Sequence, residues 1–74
     1  MRTMWESEDL VPGQMFQYPI NREHTHMLGI QQGTGVGMMV MIDTTSGDVS
    51  RPLPLTRILA HLNDTRAEPI VKGG

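Results

Sequence analysis

Two histidines separated by one residue are the first side chains in this sequence whose types and spacing suggest chemistry. His24 and His26 flank Thr25, so an extended backbone places both imidazoles on one side of the chain, where they can chelate a metal. His61 is a third candidate ligand. However, the residues around the pair are polar and typical of a surface loop, where histidine pairs are commonly exposed without a metal. We therefore predict no metal site and no cofactor.

Aspartate and serine residues that could serve in acid–base or nucleophilic catalysis fall in a predicted turn. Asp43 and Asp48 flank Ser46 in the segment DTTSGD, a strong hairpin-turn signal because Asp, Ser and Gly all favour turn conformations. Ser46 has no histidine near it in sequence to act as a base, and the chain has no cysteine. A domain of 74 residues also has little volume for a pocket in addition to a core. We predict that the chain has no catalytic residues and is not an enzyme.

Gly33, Gly35 and Gly37 form a glycine-rich segment that superficially resembles a dinucleotide-binding loop. Their spacing differs from G-x-G-x-x-G, and the apolar run that follows is typical of a strand rather than a helix. We interpret this segment as a flexible or bulged hairpin loop.

Length and composition exclude further classes of function. The chain is long enough for one domain, and its lack of cysteine excludes disulfides. Six basic and eight acidic residues give a net charge of −2, which is unlike the basic footprint of a nucleic-acid-binding domain. No apolar run approaches the ~20 residues that span a bilayer, and the N-terminus lacks the pattern of a signal peptide. We expect a cytoplasmic protein without membrane contact.

Short apolar runs separated by turn residues predict one mainly β domain over residues 10–65. A flexible acidic N-terminal arm, residues 1–9, is predicted to precede it, and a flexible tail, residues 66–74, to follow it. The predicted strands are residues 15–18, 26–31 and 38–42, with a short return strand from Val49.

The run Met38–Ile42 is apolar at every position, which indicates a central strand that is covered on both faces. We expect the face with Met39 and Met41 to pack against a helix, a second protomer or a partner, because methionine adapts to irregular surfaces.

The eight residues that begin at Leu55 fit two kinds of secondary structure. The helical spacing i, i+3, i+4, i+7 is matched by Leu55, Ile58, Leu59 and Leu62. Ile58, Ala60 and Leu62 equally fit one face of a strand. The short length favours a strand slightly, and a sheet at this point still needs a closing partner, so both alternatives stay open.

Charged residues and a lone tryptophan near the N-terminus are candidates for binding a partner protein. Three acidic residues within the first nine are opposed by Arg2 alone, which suits a basic protein surface, although a solvated tail has the same composition. Trp5 is either a packing anchor or a contact hot spot. The candidate partner-binding residues are Trp5, Glu6, Glu8, Asp9, Arg22, Glu23, His24 and His26.

Two alternatives to a protein-binding module follow from other residues. A nucleic-acid-binding barrel would use exposed aromatic side chains with neighbouring arginines, and the candidates are Phe16, Tyr18, Arg51 and Arg57. A structural component, such as a virion subunit, would form a homo-oligomer that buries the face with Met39 and Met41.

The residues Leu10-x-Pro12-Gly13-Gln14-x-Phe16 before a strand, with the later hairpin DTTSGDV, resemble small SH3-like β-barrel proteins of bacteriophages and mobile elements. The resemblance covers residues 10–62, and the sequence departs from it at Ser46 and in the glycine-rich loop. It implies a small antiparallel barrel of four to five strands, with room for one short C-terminal helix. It also implies a non-enzymatic protein that binds host machinery or a neighbouring structural subunit. From the small size, the lack of catalytic groups, the acidic arm and the methionine-rich strand, we expect a phage- or plasmid-derived module that binds and modulates a bacterial host protein, such as the transcription machinery.

Overall fold

A computed structural model of the chain describes residues 4–31 and 35–70. In this part of the chain, five antiparallel strands form one open sheet, and one α-helix lies between the fourth and fifth strands. The strands are β1 (Met15–Tyr18), β2 (Asn21–Gly29), β3 (Met38–Asp43), β4 (Leu53–Pro54) and β5 (Glu68–Ile70). The helix is α1 (Leu55–Asp64), and a short 3₁₀ helix, Ser7–Asp9, precedes the sheet. The mainly β class is therefore confirmed.

The strands lie in the order β4-β3-β2-β1-β5, so the first four form a meander and β5 returns to the free edge of β1. Phe16 of β1 pairs with His26 of β2, but Tyr18 pairs with Asn21, so β2 bulges between these pairs. Proline occurs in each edge strand, Pro54 in β4 and Pro69 in β5. Because proline donates no backbone hydrogen bond, both edges of the sheet are poor templates for pairing with another strand.

One face of the sheet carries the core. Side chains alternate along each strand, and the face that includes Phe16, Leu28 and Met39 packs against α1 and the N-terminal segment. The buried core consists of Trp5, Leu10, Phe16, Leu28, Met39, Ile58, Leu62 and Ala67. Met41 also packs against it. The face with Met39 and Met41 thus packs against the chain's own helix, which is one of the three coverings expected, so a second protomer is not needed to bury Met39.

The segment with two interpretations is a helix, so the slight preference for a strand was wrong. Ile58 and Leu62 are fully buried, and Leu55 and Leu59 pack at the margin of the core, which is the helical stripe. Pro54 sits at the N-cap with a φ of −59°, where its missing N–H is not needed. The strand interpretation assumed a sheet without a closing partner, whereas β5 supplies that partner from residues assigned to a flexible tail.

The ordered structure extends beyond both predicted domain boundaries. Trp5 and Ala67 are buried at 4% and 3% exposure, although we placed them in a flexible arm and a flexible tail. The indole Nε1 of Trp5 donates to the carbonyl oxygen of Ala67 at 2.7 Å, so the two segments hold each other against the core. Residues 1–3 and 71–74 of the predicted arm and tail, and Gly33 of the predicted loop, lie outside the described residues.

Candidate functional site

An open cleft of about 860 Å³ lies between the N-terminal segment and β5. Its apolar lining residues include Trp5, Ala67 and the prolines Pro19 and Pro69. Its charged lining residues are Asp9, Arg66 and Glu68. An apolar cleft with a few charged groups at its walls is the usual form of a binding site.

Trp5 is fixed by three hydrogen bonds. Besides the indole bond to Ala67, its backbone N–H donates to Oδ1 of Asn63 at 2.6 Å, and Nδ2 of Asn63 donates back to its carbonyl at 3.2 Å. Its ring contacts Phe16 edge-on, with centroids 6.0 Å apart. We predicted Trp5 as a partner contact, but the structure places it in the core, where it supports the cleft instead of projecting from the surface.

The predicted acidic residues stand beside this cleft. Asp9 lines it and accepts a hydrogen bond from the backbone N–H of Glu6 at 2.8 Å, which stabilises the 3₁₀ helix. Glu6 and Glu8 are exposed. The acidic segment is therefore ordered from Met4 onward and presents two carboxylates to solvent.

Arg22 of β2 is connected to this cleft through Glu68, whereas Arg22 and Glu23 themselves do not line it. Arg22 donates from Nε and Nη2 to the two carboxylate oxygens of Glu68, at 3.2 and 2.9 Å, and Glu68 lines the cleft. The hydrogen bond and charge of Glu68 raise the pKa of Arg22. Glu23, the residue after Arg22, is exposed.

Ile20, in the two-residue turn between β1 and β2, is 94% exposed. Sequence reasoning missed Ile20, although an isoleucine in a tight turn is itself an unusual signal.

The histidine pair is engaged by one carboxylate. Nδ1 of His24 lies 2.8 Å from Oδ2 of Asp43, and Nε2 of His26 lies 3.7 Å from the same oxygen. The hydrogen bond from His24 is the main cause that lowers the pKa of Asp43 to about 2, with the backbone N–H groups of Ser46 and Thr45 acting in the same direction. No group of three or more His, Asp or Glu side chains in residues 4–31 and 35–70 is arranged to hold a metal ion.

The His24–Asp43 pair has the hydrogen bond of a general-base dyad, but the neighbouring hydroxyls already have partners. Those of Thr25 and Thr44 are bonded to each other at 2.5 Å, and that of Ser46 donates to Asp48 at 3.1 Å. Among the described residues near this dyad, each hydroxyl therefore stabilises the turn after β3 and is not positioned as a nucleophile.

The aromatic residues of the nucleic-acid alternative do not form a stacking surface. Phe16 is fully buried and stacks on His26 with centroids 5.4 Å apart, which corrects its assignment as an exposed contact. The hydroxyl of Tyr18 shares a hydrogen bond with Nε2 of His61 at 2.8 Å, and burial raises the pKa of Tyr18.

Arg51 and Arg57 do come together. Both line a second, shallower cleft of about 560 Å³ beside α1, whose wall also includes Asp64. Phe16 is buried and does not line this cleft, so it offers no stacking face beside the two arginines.

A scan against protein-family models, a search of curated proteins and a search of solved structures each found no match for this chain. The longest helix in the described part of the chain is α1, which has ten residues, and no helix there is long and apolar enough to cross a membrane.

Proposed function

We propose that this chain is a non-enzymatic protein-binding module whose binding site is the cleft between the N-terminal segment and β5. One observation carries the proposal. Two groups of residues that are far apart in sequence, the N-terminal segment with Trp5 and Asp9 and the segment from Arg66 to Pro69, line the same cleft over an apolar floor. Such convergence gives a partner both an apolar pocket and a charged wall.

The charges around the cleft indicate the chemistry of the partner. Glu68 is already paired with Arg22, so its charge is largely compensated. Glu6 and Glu8 are exposed in the adjacent 3₁₀ helix, where they favour basic side chains on the partner. We therefore propose a partner segment that places an apolar side chain on the floor at Trp5 and basic residues beside these two carboxylates.

We further propose that the module is phage- or plasmid-derived and modulates a bacterial host protein, with the transcription machinery as one target. The resemblance in residues 10–62 supports this origin. The strand order, in which β5 joins β1, and the bulge in β2 both favour curling of the sheet, which supports an SH3-like barrel as the finer description.

The experiment is capture from a nuclease-treated bacterial lysate on protein immobilised through its C-terminus, followed by affinity measurement with the captured protein. We compare the wild type with Glu6→Gln/Glu8→Gln. The matched control is Asp48→Asn/Asp64→Asn, which removes the same charge from exposed positions away from the cleft. We expect the first variant to weaken binding by about tenfold at low salt, because rim charges steer association, and the control to bind as the wild type does.

Equal affinity of all three proteins for the captured partner would contradict the cleft as the binding site. The same capture is run from an untreated lysate. If material captured there is lost after nuclease treatment, the protein-binding function is contradicted and nucleic acid becomes the proposed partner.

A further inference from the structure

Two arginines from different elements line the second cleft. Arg51 lies in the connection from β3 to β4, and Arg57 lies in the first turn of α1. The cleft has a volume of about 560 Å³, which is within the ~300–1,000 Å³ of small-molecule sites. No residue that lines it also lines the cleft of the proposed function, so the two clefts are separate sites.

The two arginines carry charges that the rest of the described chain does not compensate. In residues 4–31 and 35–70, Arg22 is paired with Glu68, but no carboxylate pairs with Arg51 or Arg57. The carboxylate in the wall of the second cleft belongs to Asp64, seven residues after Arg57 in α1. At 1.5 Å per residue, this separation is about 10 Å along the helix axis, so Asp64 stands at the other end of the cleft.

Hydrogen bonds hold the backbone on both sides of this cleft. The hydroxyl of Ser50 accepts from the backbone N–H of Met41 at 2.9 Å and donates to the carbonyl of Arg51 at 3.0 Å, which ties that residue to β3. The backbone N–H of Leu55 donates to the carbonyl of Gly37 at 3.0 Å, which fixes the first turn of α1 to the start of the same strand. Both arginines are therefore presented from a fixed backbone, which lowers the entropy lost on binding a ligand.

We propose that the second cleft binds a small phosphate monoester. The guanidinium groups of Arg51 and Arg57 bind the phosphate, since the planar fork of N–H donors matches phosphate oxygens. A phosphate monoester carries a charge of about −1.5 to −2 at pH 7, which two guanidinium groups balance. The apolar lining residues Met41, Leu53 and Ala60 contact the apolar body of the ligand.

A titration of the ¹⁵N-labelled protein with phenyl phosphate, followed by NMR at constant ionic strength, tests the proposal. We expect shifts of the amide signals around Arg51 and Arg57 and a Kd of about 1 mM, the affinity of a few hydrogen bonds in an open cleft. Inorganic phosphate lacks the apolar body and should bind about threefold to tenfold more weakly. Phenol lacks the phosphate and should cause no shift at the same concentrations.

Single substitutions assign the binding to the two arginines. Arg51→Gln and Arg57→Gln should each weaken phenyl phosphate binding about fivefold or more, because each removes a charged fork. The matched control is Arg66→Gln, which removes the same charge from an exposed residue outside the second cleft and should change the Kd less than about twofold. Asp64→Asn removes the opposing carboxylate of this cleft and should tighten binding about twofold.

Two results would overturn the proposal. One is the absence of shifts at about 20 mM phenyl phosphate, well above the expected Kd. The other is equal weakening by Arg51→Gln, Arg57→Gln and Arg66→Gln, which would assign the effect to net charge. A short phosphotyrosine peptide identifies the source of the phosphate, since affinity equal to that of phenyl phosphate indicates a free small ligand and much tighter binding indicates a phosphorylated protein segment. Arg57→Gln should still bind the protein captured by the first cleft, so the two proposals fail separately.

Discussion

The two ends of the sheet fix their loops by different means. At the charged end, which holds the β1–β2 hairpin and the turn after β3, side chains add to main-chain bonds such as that from Gly47 N–H to the carbonyl of Asp43 at 2.7 Å. Oδ1 of Asp43 accepts hydrogen bonds from the backbone N–H groups of Thr45 and Ser46, at 2.9 and 3.1 Å, and Arg22 is bonded to Glu68. The opposite end holds the turn before β1 and the residues before β3, and we call it the uncharged end because residues 10–21 and 35–42 contain no Asp, Glu, Lys or Arg. There, main-chain bonds run from Gln14 N–H to Val11 and from Met38 N–H to Gly35, and Nε2 of Gln14 donates to the carbonyl of Met15 at 2.8 Å.

This difference has a consequence for function. The side-chain bonds give the loop after β3 a defined shape, while Ile20 in the neighbouring β1–β2 turn is 94% exposed. A loop that is held by its main chain leaves its side chains available, and those at the uncharged end are aliphatic. The two ends therefore differ in how their loops are fixed, and the cleft runs between them, since Pro19 lines it at one end and Gln14 at the other. Substitutions at both ends test whether this difference between the loops extends to stability.

The largest effect is expected from Trp5→Ala. This change removes a buried ring and the indole hydrogen bond to Ala67, while the two backbone bonds of residue 5 to Asn63 can remain. We expect a loss of about 3 to 5 kcal/mol in the free energy of unfolding, mainly from the deleted ring. Urea denaturation measures it. Trp5→Phe keeps a ring but not the indole donor, and should lose about 1 kcal/mol for the missing hydrogen bond in addition to its packing change. Ile30→Ala, at the uncharged end, should change stability by less than about 0.5 kcal/mol.

A loss below about 1 kcal/mol in Trp5→Ala would mean that the N-terminal segment unfolds separately from the sheet, since deletion of a buried aromatic side chain from a cooperative core costs several times more. The cleft would then lack a fixed wall, and the contrast between the two ends would fail.

The presence or absence of a local sequence signal explains which elements were predictable. The strands around Phe16 and Met39 and the turn after Asp43 have local signals, namely apolar runs and turn residues, and they were predicted. The helix was not, because over eight residues Ile58 and Leu62 satisfy both the helical and the alternating pattern. What decides between the two is the position of the core, which is a property of the whole chain.

The cleft was predictable only in part. Composition identified Asp9 as a charged candidate, but the cleft that it lines depends on the contact of Trp5 with Ala67, which are 62 residues apart. No local pattern reports such a contact. Phe16 was misassigned for the same reason, since an aromatic residue on a strand can face either the core or solvent and only the packing of α1 determines which.

Asp43 provides an intermediate effect with a defined pH dependence. Its folded-state pKa of about 2 lies below the unfolded value of ~3.9, so its ionised form stabilises the fold above pH ~4, and this contribution is lost as the pH falls from ~4 towards 2. Asp43→Asn should therefore have a lower thermal midpoint than the wild type at pH 7, by less than Trp5→Ala, and the difference should shrink towards pH 2. Calorimetry at both pH values measures it.

The control for this prediction is Asp48→Asn. Asp48 lies in the same turn, but the carboxylate that bonds His24 belongs to Asp43. If Asp43→Asn and Asp48→Asn show the same pH dependence, the turn as a whole and not the His24–Asp43 pair stabilises the charged end.

The smallest effect concerns backbone conformation and should have opposite signs at the two ends. Arg66 follows α1 with a φ of +56°, the left-handed region in which a side chain is unfavourable, whereas Gly37 at the uncharged end has a φ of +77°. Arg66→Gly should raise the free energy of unfolding by about 0.5 kcal/mol, since relief of the strain exceeds the entropy gained by the unfolded chain. Gly37→Ala should lower it by about 1 kcal/mol. Both are measured by urea denaturation.

Arg66→Ala separates the two contributions at this position, because it removes the side chain and keeps the strain. A stabilised Arg66→Gly together with an unchanged Arg66→Ala assigns the gain to the backbone alone. The guanidinium at the wall of the cleft is then retained at the expense of stability, which is the pattern expected of a residue that serves binding. A destabilised Arg66→Gly would instead show that Arg66 stabilises the fold, and its position in the cleft wall would then not indicate a role in recognition.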